Sequence, residues 1–294
     1  MGASICVEIA EHAGVCYGVE RALRMTSEAA KTADNITSLG PLIHNPRVVS
    51  ELVAQGVGVA KTIADARQGT LVIRAHGVSP DIIRDAHATG LSVVDATCPY
   101  VHTVQRAAAQ LVHEGYQVLV IGEIGHPEVE GILGHAGKSA YVISSPADIE
   151  KLTLQKKVGV VVQTTQTKEH VEAICAALVC QVHELRVMNT ICTATHERQT
   201  SACELAKRSD CMLVIGGKNS GNTRRLFELC SQVAPRSYHI ESAGELDKTW
   251  FLDALHIGIT AGASTPPAHI EEVLDALTEL VGPYTLKWNR MPLA

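Results

Sequence analysis

Three cysteines and a recurring set of polar residues are the parts of this sequence that could do chemistry. Cys16, Cys98 and Cys192 each close a short apolar or mixed run (residues 11–16, 93–98 and 187–192). Each also opens a helix-like stretch with an Arg or Gln inside two turns: Arg21, Gln105 and Arg198. Twenty-eight residues beyond each cysteine stand His44, His126 and Ser220, each just after an apolar segment. A second polar position recurs at His76, Thr164 and Ser264, drifting by six residues per repeat as loop insertions would make it drift. A cysteine and two polar turns returning three times in register is an internal repeat. Its simplest chemical reading is three thiolates meeting at one metal centre, with the polar turns around that centre's ligand.

The spacing narrows the metal. Structural zinc takes four ligands, often from local CxxC pairs, and the chain has no CxxC. Lone cysteines 82 and 94 residues apart suit an iron–sulfur cubane with three thiolate ligands. Complete cysteine ligation is the ordinary case, so three would leave one iron open to substrate as a Lewis acid. Spacing by itself leaves a plainer alternative open, three cysteines packed at strand–helix junctions.

Of the fourteen histidines, His44, His76 and His126 stand apart, because they occupy repeat-equivalent turns before helices. With Thr164, Ser220, Asn222 and Ser264 they form a set of donors at helix N-termini, where free N–H groups and the positive dipole end favour phosphate. Gly217–Ser220 is not a P-loop, since the spacing before Lys218 is wrong. Glu128, two residues after His126, is placed to deliver a proton to a leaving hydroxyl. It would equally serve as a first-turn Glu stabilising a helix start. Glu130 reads as surface.

These residues need a frame that repeats as they do. Short apolar runs alternate with helical periods: Ile5–Ile9, Ile36–Gly40, Thr70–Arg74, Val118–Ile121, Val158–Val162, Met212–Ile215 and Ile257–Thr260 as strands, with helices between them. Ser79-Pro80 and Ser264-Thr265-Pro266-Pro267 are good helix starts. Such alternation implies an α/β fold of small parallel sheets with helices packed on them. The turns at the carboxyl ends of the strands then line the ligand crevice. The repeat predicts units over 1–96, 97–190 and 191–281, with 282–294 a tail or an added edge strand.

Composition excludes several classes of function. At 46% hydrophobic and 19% charged, the 294 residues can bury a sizeable core, and disorder is not expected. A net charge of −6 without a Lys/Arg block, and 3% aromatics, leave no nucleic-acid footprint. No apolar run approaches about 20 residues and no signal-like N-terminus is present. No membrane role is therefore expected, and a cytoplasmic location is. Nine cysteines, an odd count at irregular spacing, argue for reduced thiols rather than a disulfide framework. Cys6, Cys175, Cys180, Cys203, Cys211 and Cys230 read as buried small hydrophobes.

The motifs also match a family, in order and over nearly the whole chain. Residues 13–22 (Ala-Gly-Val-Cys-Tyr-Gly-Val-Glu-Arg-Ala), 40–45 and 74–78 resemble the first unit of 4-hydroxy-3-methylbut-2-enyl diphosphate reductase. Residues 95–99, 126–131 and 163–165 resemble its second unit, and 190–195, 218–222 and 260–264 its third. The resemblance implies a trefoil of three pseudo-threefold-related α/β units and a [4Fe–4S] cluster on Cys16, Cys98 and Cys192 with one open iron. It implies His44, His76, Ser220, Asn222 and Ser264 around a diphosphate, with His126, Thr164 and Glu128 nearer the substrate hydroxyl. The implied reaction is reductive dehydroxylation of an allylic alcohol to isopentenyl and dimethylallyl diphosphate, the last step of the non-mevalonate isoprenoid route. The resemblance also implies electrons from NADPH through a ferredoxin or flavodoxin; no GxGxxG-type site is evident in the chain. Three departures stand out: Gly221 where the family commonly has a second Ser, Val15 where an aromatic is frequent, and the unusual His196-Glu197 pair before Arg198. An iron–sulfur sensor or carrier retaining the fold, and a zinc-binding structural protein, are the competing readings.

Overall fold

A computed structural model describes residues 4–33, 35–66 and 68–288. In chain order the elements are β1 (Cys6–Ile9), α1 (Tyr17–Ala30), β2 (Ile36–Leu39), α2 (Pro46–Ala54), β3 (Val57–Ala60), β4 (Thr70–Ile73), α3 (Pro80–Ala88) and β5 (Ser92–Asp95). Then come α4 (Pro99–His113), β6 (Gln117–Ile121), α5 (Pro127–Ala136), β7 (Ala140–Ile143), β8 (Lys157–Val162), α6 (Lys168–Val179) and β9 (Glu184–Met188). The last stretch holds α7 (Thr193–Ala206), β10 (Cys211–Ile215), α8 (Gly221–Val233), β11 (Ser237–Ile240), β12 (His256–Ala261), α9 (Pro267–Val281) and β13 (Thr285–Lys287).

The strands form three parallel sheets in one repeated order: β3-β2-β4-β5, β7-β6-β8-β9 and β11-β10-β12-β1, the last extended by β13. This is the α/β class read from the sequence. The N-terminal strand departs from the expectation that it opens the first unit. β1 pairs with β12, Val7 against Ile257 and Ile9 against Ile259, so it is the fourth strand of the third sheet. The reason is burial: Val7 and Ile9 join Leu213, Ile257 and Ile259 in one core, whereas β2 already has β3 and β4 on its two edges. β13 pairs with the free edge of β1; it lies in the 282–294 stretch expected as a tail or an added edge strand, of which residues 289–294 lie outside the described residues.

The chain accordingly divides into two compact units. One takes the segment up to Tyr17, the His44–Pro46 turn and everything from Thr193 onward, and contains the third sheet. The other takes Gly18–Ile43 and Arg47–Cys192, and contains the first two.

Each sheet is buried on both faces, as parallel sheets must be when crossover helices cover them. In β10, Cys211, Leu213 and Ile215 pack with Ile270, Val273 and Leu277 of α9. The alternate residues Met212 and Val214 pack with Ala202 and Leu205 of α7 and Leu226 of α8. β6 behaves the same way: Val118 and Val120 meet Val104 and Leu111 of α4 and Ile132 of α5, while Leu119 and Ile121 meet Ile174 and Leu178 of α6. In the first sheet Val72 faces Ala22 of α1 and Leu52 of α2, and Leu71 and Ile73 face Ala86 of α3. This is the period-2 alternation of a strand read against two helix layers. Each Val, Leu, Ile or Met among them stabilises the fold by about 1.5–3 kcal/mol when fully buried, which gives the turns at the strand ends a rigid base.

Candidate functional site

Every cysteine of interest lies on a strand-to-helix turn and directly precedes a helix. Cys16 is followed by α1, Cys98 by Pro99 at the first position of α4, and Cys192 by α7. The cysteines themselves occupy the N-terminal boundary, where a chain tolerates negative charge best. All three are partly buried and none is in a disulfide.

The turns are built alike. The Cys16 N–H donates to the Ala263 carbonyl at 3.1 Å and the Cys98 N–H to Ala75 at 3.0 Å. The Cys192 N–H donates to Thr164 at 3.2 Å. Two residues earlier, Gly14 donates to Ala261 and Ala96 to Ile73. At the corresponding place in the third turn the Thr190 hydroxyl bonds both the N–H and the carbonyl of Val162. Each cysteine turn is thus laced to the neighbouring strand's turn, the one that carries Ser264, His76 or Thr164. Gly14 has φ +96°, and a Cβ there would lie 3.3 Å from the Thr265 carbonyl, so the turn ahead of Cys16 requires glycine.

Glu128 is not a surface first-turn residue. It is 2% exposed and receives two hydrogen bonds from Thr164, the N–H to Oε1 at 2.7 Å and the hydroxyl to Oε2 at 2.9 Å. Burial pushes its carboxyl up to about 7, against the lowering effect of both Thr164 bonds, and the Glu123 charge adds to the rise. A carboxyl poised there exchanges a proton readily at neutral pH. His126 is the N-cap of α5, its Nδ1 accepting the Glu128 N–H at 3.1 Å. A neutral His126 therefore carries its proton on Nε2. The His76 ring stands edge-on to it, centroids 5.6 Å apart. So His76, His126, Glu128 and Thr164 are brought together in one unit, while Glu130 is exposed as expected.

The unit containing the third sheet assembles another group. The Ser264 hydroxyl donates to the His44 carbonyl at 3.2 Å, and Asn45 Nδ2 donates to the Ser264 carbonyl at 2.7 Å. Asn45, 4% exposed, was given no role by sequence; its signals were its place beside His44 and at the end of the 40–45 motif. A Cβ on Gly217 would stand 2.7 Å from the His44 carbonyl, so glycine lets the two turns touch. Ser220 caps α8, its Oγ accepting the Thr223 N–H. Asn222, 5% exposed, has neither Nδ2 nor Oδ1 hydrogen-bonded. A buried amide left unsatisfied at a helix N-terminus is unstable by itself and favourable once an anion or hydroxyl arrives. Gly221 begins this helix, so its N–H is among the first-turn donors. Lys218 is engaged elsewhere, its Nζ on Glu245 and its N–H on Glu241.

Of the six cysteines read as buried hydrophobes, Cys211 and Cys230 are fully buried and burial pushes both up to about 12. Cys6, Cys175 and Cys203 are partly buried, and Cys180 corrects the expectation: it ends α6 and is exposed. Among the described residues no helix is long and apolar enough to cross a membrane.

Comparison with known proteins agrees over the same span. The model of the LytB protein family matches residues 7–278. A 4-hydroxy-3-methylbut-2-enyl diphosphate reductase of Trichlorobacter lovleyi is 46% identical over 274 residues, 93% of this chain and 98% of the relative. The same enzyme of Geobacter sulfurreducens is 46% identical over 273 residues, 93% and 97% of the two chains. A solved structure of (E)-4-hydroxy-3-methyl-but-2-enyl diphosphate reductase, described as the terminal enzyme of the non-mevalonate pathway, is similar at TM-score 0.70 and 42% identity, covering 94% of this chain and 99% of that one. The E-1-hydroxy-2-methyl-but-2-enyl-4-diphosphate reductase of Plasmodium falciparum is similar at TM-score 0.92 and 26% identity, covering 99% and 94%.

Proposed function

Because this chain belongs to the LytB family, we propose that it is a 4-hydroxy-3-methylbut-2-enyl diphosphate reductase in which Glu128 supplies the proton for loss of the hydroxyl. It is an oxidoreductase of the non-mevalonate isoprenoid route. The substrate's C–O bond breaks, the oxygen leaves as water, and two electrons and a further proton complete isopentenyl or dimethylallyl diphosphate.

Cys16, Cys98 and Cys192 are the residues to hold an iron–sulfur cluster. What supports this is the donor set: three thiols outside any disulfide, each at a helix N-terminus and each fixed by a main-chain hydrogen bond. A [4Fe–4S] cluster with one iron not ligated by cysteine would supply electrons and a Lewis-acidic place for the hydroxyl. His44, His76, Ser220, Asn222 and Ser264 take the diphosphate. The unsatisfied Asn222 amide and the capped N-terminus of α8 support that assignment. His126, whose Nδ1 accepts the Glu128 main-chain N–H, stands with Glu128 and Thr164 nearer the substrate hydroxyl. Thr164 holds Glu128 and sets its orientation. A ferredoxin or flavodoxin delivers the electrons.

The observation that carries the reading is the buried Glu128 carboxyl near 7 on its Thr164 clamp. A protein that only carried electrons would gain nothing from it. Anaerobically purified protein should contain iron and acid-labile sulfide and turn over the substrate with a low-potential reductant. The E128Q variant should retain both and lose about 10²–10⁴ in rate. Full turnover by E128Q would remove Glu128 from the mechanism.

A further inference from the structure

We infer that Arg198 and Arg21 are positioning residues for the cysteine turns, each fixing the main chain immediately ahead of a cluster ligand. The inference rests on the iron–sulfur reading above. Arg198 lies on α7 and is 3% exposed. Its Nη2 donates to the Gly14 carbonyl at 2.6 Å and its Nη1 to Ala194 at 3.0 Å. Gly14 is two residues before Cys16, and its N–H and that of Cys16 are already used on Ala261 and Ala263. Arg198 therefore holds the carbonyl that strand pairing leaves over, and the turn is anchored from both sides of its peptide groups. Arg21, on α1, does the same for the next turn, its Nη1 donating to the Thr97 carbonyl at 3.1 Å, one residue before Cys98.

The pattern follows the repeat. The arginine after Cys192 holds the turn of Cys16, and the arginine after Cys16 holds the turn of Cys98. After Cys98 the equivalent position is Gln105, which turns instead to His102, its Oε1 3.2 Å from Nδ1. The turn of Cys192 is held by the uncharged Thr190 hydroxyl on Val162. Two ligand turns thus have a guanidinium against their backbone, and the third is held by a hydroxyl. A guanidinium cannot be neutralised by deprotonation in a protein, so each places a fixed positive charge on the main chain one or two residues before a proposed ligand. Net charge and hydrogen bonding around an iron–sulfur cluster set its potential. Losing either arginine should loosen the ligand and lower the potential together.

The test uses full-length protein reconstituted anaerobically, as wild type, R198Q, R21Q, R198K and the control R84Q, whose arginine is on the surface. Iron and sulfide content, the rate of iron loss to a chelator and the midpoint potential are measured for each. R198Q and R21Q should release iron about 10- to 100-fold faster, the range of a charge-assisted hydrogen bond. Their midpoints should move to more negative potential, while R84Q matches wild type. R198K, which keeps the charge but not the fork, should keep most of the potential and only part of the release rate. Release and potential unchanged in R198Q and R21Q would overturn the inference, even if their denaturation midpoints fall. So would R198K and R198Q behaving identically, which would assign the effect to packing. Wild-type protein that takes up no iron and sulfide would instead defeat the cluster reading itself.

Discussion

Replacing Glu128 by Gln should make the protein more stable at neutral pH, in the same step that slows turnover by about 10²–10⁴. The carboxyl is held at about 7 in the folded chain, from an ordinary value of 4.5, chiefly because burial disfavours its anion. Between those values the folded state binds a proton that the unfolded state has released, so stability falls as pH rises through this window. At 1.36 kcal/mol per pH unit, the loss by pH 8 is about 3 kcal/mol. Gln copies the shape of the protonated acid without its titration. Its Oε1 can accept the Thr164 N–H and its Nε2 can donate to the Thr164 hydroxyl, which rotates to accept, so no buried group is orphaned. Urea denaturation of anaerobically purified wild type and E128Q should give stabilities that differ little near pH 4.5. By pH 8 they should diverge by about 3 kcal/mol in favour of the variant. Parallel pH dependences in the two proteins would show that Glu128 titrates normally, and its role as a neutral-pH acid would go with that result.

Thr164→Val keeps the N–H bond to Glu128 but deletes the hydroxyl bond that lowers its proton affinity. The carboxyl should then hold its proton to still higher pH, moving the alkaline limb of the pH–rate profile upward. Asn222→Leu replaces a buried amide with no partner on either atom by an apolar side chain of similar volume. It should raise stability by about 1–3 kcal/mol in denaturation experiments and weaken diphosphate binding measured by calorimetry. Thiol alkylation of the folded protein, mapped by mass spectrometry, should label the exposed Cys180 first. It should leave Cys211 and Cys230 unmodified until unfolding, because a buried thiol pushed up to about 12 presents almost no thiolate.

Much of the molecule was legible in the chain itself. The threefold return of a cysteine with two polar turns fixed the number of sheets, because each repeat carries the same alternation of apolar runs and helical periods. The α/β class follows from that alternation, and so does the placing of His44, His76, His126 and Ser220 at strand ends. What periodicity could not decide is which strand pairs with which. β1 opens the first unit in sequence yet completes the third sheet, since pairing is settled by the free edge of β12 and the core that Val7 and Ile9 can enter. Nor could spacing separate a helix-start Glu from a buried acid. The environment of Glu128 is made by Thr164, 36 residues away, and only the folded sheet brings that hydroxyl and N–H to bear on it. The same holds for Arg198, whose partner Gly14 lies 184 residues distant. Local residue types determine what a turn can offer; long-range packing determines the solvent exclusion and hydrogen bonds that turn the offer into chemistry.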